Sequence, residues 1–346
     1  FDFGGTIKGA SGGRTSVSTR KEPIGVAGLI TPWNYPVAIP AWKIAPALAT
    51  GNAVVIKPAT QAPGPAHEIA RALDEAGLPD GVFNLVVGAG SEVGSTITDH
   101  EDVDAVSFTG SSHVGHIVYD AATDDTKRAQ AEMGGKNPTI VTNSADVDEA
   151  VDTVGAGAFG VTGQACTATS RAIVHESVYD EFVERIVEYA EAIDHGPGVE
   201  DPGMGPHVSE DELEGTLEYV DVAKTEGATH ETGGERLEEG DLADGYFVSP
   251  VVFSDVTPDM RIFQEEVFGP VLAVTKVSDF DEAIDVANDS DYGLSASIVT
   301  NDLEEAHEFV DRIESGVAKV NEKTTGLELH VPFGGVKDSS TNTYRE

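Results

Sequence analysis

Hydrophobic positions along the chain recur with two alternating periods. Val178, Phe182, Ile186, Tyr189, Ala190 and Ile193 fall on one face of a helix over 179–194, while Asp180, Glu181, Glu184, Glu188 and Glu191 fill the other. Short runs rich in β-branched residues alternate with such segments. Strands are predicted at 23–31, 52–57, 83–87 and 103–108. The helices between them run through Trp42 and Leu48, over 64–76 up to Gly77, over 92–98, and from the turn after Phe108 to about Ala122. This alternation predicts an open, mostly parallel α/β sheet. The first 22 residues alternate small and polar side chains with glycines, which predicts a thin strand pair, an arm rather than part of a core.

A short strand ending at Glu132 meets Gly134-Gly135, which suit a hinge, and a second strand–helix series begins beyond Ala145. It has a helix at 151–159, a strand at 170–175 and the helix at 179–194. An acidic, loop-rich stretch over 195–245 follows, with a helix at 213–226, then a strand at 251–253 and further alternation to Asn321. Two separate series place a domain boundary near residue 135. The expected organisation is an arm over 1–22, one α/β domain over 23–135, a second over 136–330, and a return segment over 331–346.

Composition narrows the classes. The 346 residues, 40% of them hydrophobic, are enough for two real cores. Sixty-one acidic against 21 basic residues give a net charge of -40, which argues against nucleic-acid or anionic-membrane partners. The acids are interspersed with periodic apolar residues, so they are surface rather than tail. Such a surface suits a salt-rich cytoplasm, where the Debye length falls to about 3 Å at 1 M salt. No run approaches the roughly 18 apolar residues of a membrane span.

A single cysteine, Cys166, rules out an internal disulfide and a Cys-rich metal site, and no metal is expected. The absence of disulfides fits a reducing cytoplasm. Cys166 itself is open to three readings: a buried apolar thiol, a surface thiol or a nucleophile. Gly157, Gly160 and Gly163, with the small residues Ala165, Thr167 and Ala168, leave the sulfur unshielded, which suits a thiol that meets a substrate. Phe108-Thr109-Gly110-Ser111-Ser112-His113-Val114-Gly115 follows a strand and opens a helix. It is either a tight connection or a backbone cradle for a pyrophosphate, and it departs from G-x-G-x-x-G. Taken alone, Glu132 reads as a solvated strand-end carboxylate.

Seven anchors occur in one order: Pro32-Trp33-Asn34, Lys57-Pro58, Phe108-Thr109-Gly110-Ser111, Glu132-Met133-Gly134-Gly135-Lys136, Gly163-Gln164-Ala165-Cys166, Glu265-Glu266-Val267-Phe268-Gly269-Pro270 and Pro332-Phe333-Gly334-Gly335. In that register the chain resembles the aldehyde dehydrogenase superfamily over essentially its whole length. The resemblance implies a Rossmann-type cofactor domain over 23–135, an α/β catalytic domain over 136–330, and a β-arm that serves a homo-oligomer, a dimer or tetramer. It implies Cys166 as nucleophile, Glu132 as general base and Asn34 as oxyanion donor. Trp33, Lys57, Thr60, Gly110, Ser111, Glu266 and Phe268 would contact the cofactor, and Lys43 and Glu346 match a proton relay. A Cys-His hydrolase, the competing enzyme class, offers no role for Gly110-Ser111 or Glu265-Glu266.

The stretch from Gly157 to Arg171, and the tail from Thr324-Thr325-Gly326-Leu327 to Glu346, are similar to the subgroup that oxidises 2,5-dioxopentanoate to 2-oxoglutarate in sugar-acid breakdown. Succinate semialdehyde or another short acidic aldehyde is the alternative substrate. A non-catalytic binding protein on the same fold is the alternative class, against which Cys166, Glu132 and Asn34 all count. Family chains extend further at both ends, so a fragment is expected. Thr60 stands where NAD-preferring relatives carry glutamate, which points to NADP ahead of NAD.

Overall fold

The computed structural model describes residues 4–7, 17–328 and 330–341. The chain separates into two compact units, one formed by residues 1–109 and 113–131, the other by 110–112 and 132–346.

In the first unit, five strands are ordered Phe83–Leu85, Ala53–Lys57, Val26–Ile30, Ala105–Thr109, Arg128–Glu132. The first four run parallel. The chain adds strands outward on one side of Val26–Ile30 and then returns to its other side. That reversal is a topological switch point, where the carboxyl ends of neighbouring strands leave a crevice for a ligand. Ala27, Leu29, Val54 and Ile56 alternate onto one face and pack with Ile44, Leu48, Ile69 and Leu73 from the helices Ala38–Ala49 and Pro63–Glu75. Gly4–Ile7 and Val17–Arg20 pair as a separate antiparallel hairpin.

The second unit is built on seven strands ordered Thr229–Thr232, Val251–Ser254, Val271–Val277, Thr169–His175, Asn137–Val141, Ser295–Val299, Val317–Val320. All pair in parallel except the first, which is an antiparallel edge. Neighbouring residues of one strand feed opposite cores, as the pleat requires. Val141, Ala172 and Val174 meet Val154, Phe159, Phe182 and Ile186 from the helices Val147–Phe159 and Glu176–Glu191. Ile140, Ile173 and Ile298 meet Ile284, Ala287 and Phe309 on the other side. Among the described residues no helix is long and apolar enough to cross a membrane.

The helices expected at 179–194 and 213–226 form at Glu176–Glu191 and Glu210–Glu226, and three further segments differ from the sequence expectation. The helix expected at 151 starts at Val147, because the Asp146 side chain accepts from the N–H groups of Asp148 and Glu149 and caps a turn earlier. The loop-rich stretch 195–245 holds the edge strand Thr229–Thr232, whose polar sequence hid it. Asn137–Val141, buried along its length, was masked by Pro138, a residue that ordinarily marks an edge strand or bulge. Here the register against Thr169–His175 shifts between Asn137 and Pro138, so the proline sits at the irregularity.

The ion pairs are carried largely by exposed acids, as at Arg71–Glu68, Arg185–Glu181 and Arg312–Glu308. Isolated pairs of this kind contribute about 0–1 kcal/mol each and do not offset the repulsion among the remaining carboxylates. The melting temperature should therefore rise by several degrees between 0.1 and 2 M KCl; a flat or falling curve in that range would contradict a salt-adapted surface.

Candidate active site

Cys166 follows a turn that few side chains tolerate. Val161, Thr162 and Gly163 are all left-handed, with φ of 55°, 57° and 65°. A Cβ at Gly163 would lie 2.2 Å from the Gly269 carbonyl oxygen, so only glycine fits that close approach. Tertiary bonds hold the turn against this strain. The Thr162 hydroxyl donates to Gly205 O (3.0 Å), Gln164 Nε2 to Pro206 O (3.2 Å), and Gln164 Oε1 accepts from Val208 N–H (3.0 Å). Cys166 is left half-buried at the end of this brace. Burial pushes its thiol up to about 12, the negative charges of Glu266 and Glu132 add to the rise, and the backbone N–H groups of Cys166 and Thr167 pull the other way.

Glu132 is 5% exposed, which corrects the reading of a solvated strand-end carboxylate. Its Oε1 accepts from the Ser340 hydroxyl at 3.1 Å, its carbonyl accepts from Gly110 N–H at 3.1 Å, and Met133 N–H donates to Ser339 O at 2.8 Å. The segment that follows is tied down residue by residue. Ser112 Oγ accepts from Gly134 N–H (3.3 Å), Glu266 Oε1 from Gly135 N–H (2.9 Å), and the Lys136 carbonyl from Arg171 Nε (2.8 Å). Asn137 Nδ2 donates to the carbonyls of both Cys166 and Ala168, each at 2.8 Å. A Cβ at Gly135 would lie 2.4 Å from the Cys166 carbonyl oxygen. The structure thus brings Cys166, Glu132, Gly110, the residue following Ser111, and Glu266 into one connected network.

The Glu265–Glu266 pair divides its labour. Glu265 is anchored by Arg261 (2.9 and 2.8 Å) and the Tyr219 hydroxyl (2.7 Å), which hold its carboxyl below the ordinary range. Among the described residues no such cation lies at hydrogen-bonding distance of Glu266, and burial raises its carboxyl, partly offset by Gly135 N–H and Lys136. Phe268, two residues on, is left-handed with φ 58°. Lys136 is 2% exposed, and burial lowers its ammonium, with Arg171 adding to the effect. In the sequence Lys136 stands within a motif without a role, and Arg171 closes the Gly157–Arg171 stretch without one, inside a strand that was expected. Asn137 carries no signal until the buried strand Asn137–Val141 that it opens is recognised.

Of the remaining candidates, Trp33, Asn34, Lys57 and Thr60 lie at the carboxyl ends of strands of the first unit, and Lys43 lies on its helix Ala38–Ala49. Trp33 and Asn34 follow Val26–Ile30, both half-buried, and Asn34 Oδ1 accepts from Tyr35 N–H at 3.1 Å. Lys57 ends its strand 5% exposed; burial lowers its ammonium, which donates to Pro58 O at 3.0 Å. Thr60 is exposed in the turn beyond. Lys43 is no surface lysine: it is 9% exposed, and its Nζ donates to Ser107 Oγ at 2.6 Å and Phe108 O at 3.3 Å. Glu346 lies outside the described residues.

A model of the Aldehyde dehydrogenase family matches residues 4–346. Along its whole length the chain is 66% identical to alpha-ketoglutarate semialdehyde dehydrogenase of Haloferax volcanii, spanning 71% of that protein, and 48% identical to 2,5-dioxopentanoate dehydrogenase of Saccharolobus solfataricus, spanning 72%. The crystal structure of betaine aldehyde dehydrogenase from Staphylococcus aureus in complex with NAD+ superposes on 98% of the chain and 67% of its own, with a TM-score of 0.95 and 39% identity.

Because burial and two carboxylates hold the Cys166 thiol neutral in the resting protein, its alkylation by iodoacetamide should keep accelerating with pH through pH 9. An ordinary thiol of pKa near 8.5 levels off about there. A plateau reached by pH 9.5, followed on the Cys166 peptide by mass spectrometry, would contradict the raised value.

Proposed function

The chain belongs to the aldehyde dehydrogenase family, an aldehyde-oxidising oxidoreductase, and from that premise we propose that its substrate is 2,5-dioxopentanoate, oxidised to 2-oxoglutarate through a covalent intermediate on Cys166. The observation that carries the covalent reading is the bonding of the Glu132-bearing segment to the carbonyl of Cys166. The substrate reading is supported by the names of the relatives from Haloferax volcanii and Saccharolobus solfataricus.

The residues divide the work as follows. Cys166 loses its proton and its sulfur adds to the aldehyde carbon, turning the carbonyl oxygen into an oxyanion. The Asn34 amide and the Cys166 backbone N–H donate to that oxygen. The nicotinamide cofactor, when bound, accepts the hydride that leaves as the carbonyl re-forms. What remains on Cys166 is a thioester, and Glu132 takes a proton from the water that opens it, releasing the carboxylate and restoring the thiol. Lys43 and Glu346 are assigned to passing that proton outward.

The chain's residues fit such a cofactor. Lys57 is a buried ammonium at the carboxyl end of the strand beside Val26–Ile30, and its one protein acceptor among the described residues is the Pro58 carbonyl, so donors remain for ribose hydroxyls or a phosphate. Trp33, Thr60, Gly110, Ser111, Glu266 and Phe268 complete the assigned contacts. NADP is the preferred form: Thr60 places no charge against a 2'-phosphate, whereas a carboxylate there would repel it by roughly 3 kcal/mol per unit charge at about 5 Å and a dielectric near 20. Residues 23–135 are assigned to cofactor binding and 136–330 to catalysis, with 331–346 returning to support the site. The hairpin Gly4–Ile7 with Val17–Arg20, too small for a core of its own, is assigned as an arm that joins copies into a dimer or tetramer.

A panel of aldehydes assayed with both cofactors in high salt, using the full-length protein, tests the assignment. The highest kcat/KM should fall on 2,5-dioxopentanoate with NADP; a higher value on succinate semialdehyde or a neutral aldehyde would replace the substrate, and a higher value with NAD would remove the Thr60 argument. Thr60→Glu should lower kcat/KM for NADP by a factor of a few hundred while leaving NAD nearly untouched. Cys166→Ala should abolish oxidation, whereas Glu132→Gln should still give one burst of reduced cofactor. Asn34→Ala should cost about 3 kcal/mol of barrier. Full steady-state turnover in Glu132→Gln would take that residue out of the mechanism.

A further inference from the structure

We infer that Asn137 is the positioning residue that fixes the nucleophile's peptide against the base-bearing segment, an inference that rests on the reading of Cys166 as nucleophile. Asn137 is 2% exposed and uses its whole side chain. Both Nδ2 hydrogens are given, to Cys166 O and Ala168 O at 2.8 Å, and Oδ1 accepts from Ser295 N–H at 3.0 Å. One amide thus joins three adjoining strands at the point where they begin.

The backbone cannot make these bonds itself. Pairing of Asn137–Val141 with Thr169–His175 starts at Asn137 opposite Thr169 and slips before Pro138, which has no N–H to give. The side chain replaces the missing ladder where the cysteine loop enters the sheet. Gly135 lies against both that carbonyl and the Asn137 amide, with room for no Cβ: one built there would stand 2.4 Å from Cys166 O and 2.8 Å from Asn137 Oδ1. Five residues before Asn137, Glu132 is fastened to Ser340. The peptide after Cys166 and the general base are therefore set by one rigid run, and releasing the carbonyl frees the sulfur to drift relative to Glu132.

Two variants of the full-length enzyme test this. Asn137→Ala removes both donors. It should lower kcat about a hundredfold, the scale of an ångström-level misplacement, leave KM for aldehyde and cofactor within about threefold, and alter the rate of Cys166 alkylation. Asn137→Asp keeps the acceptor for Ser295, but its carboxylate has no hydrogen to give. Burial beside two carbonyls raises that carboxyl, so as pH falls from 9 to 6 it protonates and regains one donor. The ratio of Asn137→Asp activity to wild type should therefore climb towards acid pH while the Asn137→Ala ratio stays flat.

Wild-type kcat and alkylation rate in Asn137→Ala would overturn the inference. So would a loss that merely follows the folded fraction measured by thermal melting, or a flat Asn137→Asp ratio. Turnover surviving in Cys166→Ala would instead defeat the nucleophile assignment, and the alkylation rate would still report whether Asn137 grips the loop.

Discussion

The carbonyl oxygen of Cys166 is the point on which the candidate site of the second unit is assembled. It accepts from Asn137 Nδ2 and lies so near Gly135 that no Cβ could stand there. Around this contact the rest follows in order. The left-handed turn before Cys166 is held by Gly205, Pro206 and Val208, and the strand beyond Ala168 runs into the buried sheet. The run from Glu132 to Asn137 is bonded at every residue, so Cys166 and Glu132, the proposed nucleophile and base, are parts of one frame. A site built this way owes little to side-chain flexibility and much to the register of a parallel sheet whose central strands, such as Asn137–Val141 and Ser295–Val299, are buried along their length.

Electrostatics in that frame are those of a poorly hydrated interior. Burial disfavours charge on Cys166, Glu266 and Lys136 alike, raising the two acids and lowering the base. The Cys166 thiol is consequently held towards its neutral form. Glu265, one residue from Glu266, escapes this because Arg261 and Tyr219 hold its carboxylate at a half-exposed position. Two adjacent glutamates thus serve different ends: one fastens the loop, and the other is left with its charge poised.

Much of this was legible in the sequence, and what was not has physical reasons. The amphipathic helix expected at 179–194, which forms at Glu176–Glu191, and the strand–helix alternation carry their periods in plain view, and a single cysteine among glycines announced Cys166. The strand Asn137–Val141 was hidden because proline counts against a central strand unless the register shift beside it is known. Val161 and Thr162 give no hint of left-handed backbone, a conformation their β-branching opposes. Lys43 and Lys136 look like surface lysines, and only the packing around them shows otherwise. Asn137 joins residues 29 and 158 positions away, a relation no local pattern encodes.

The central claim, that aldehyde oxidation passes through an acyl group on Cys166 which the Glu132-bearing segment then releases, is tested most directly by trapping that group. Full-length Glu132→Gln protein, mixed with 2,5-dioxopentanoate and NADP and quenched in acid, should carry one added acyl mass on the peptide containing Cys166. No adduct, or an adduct on any other residue, would contradict it.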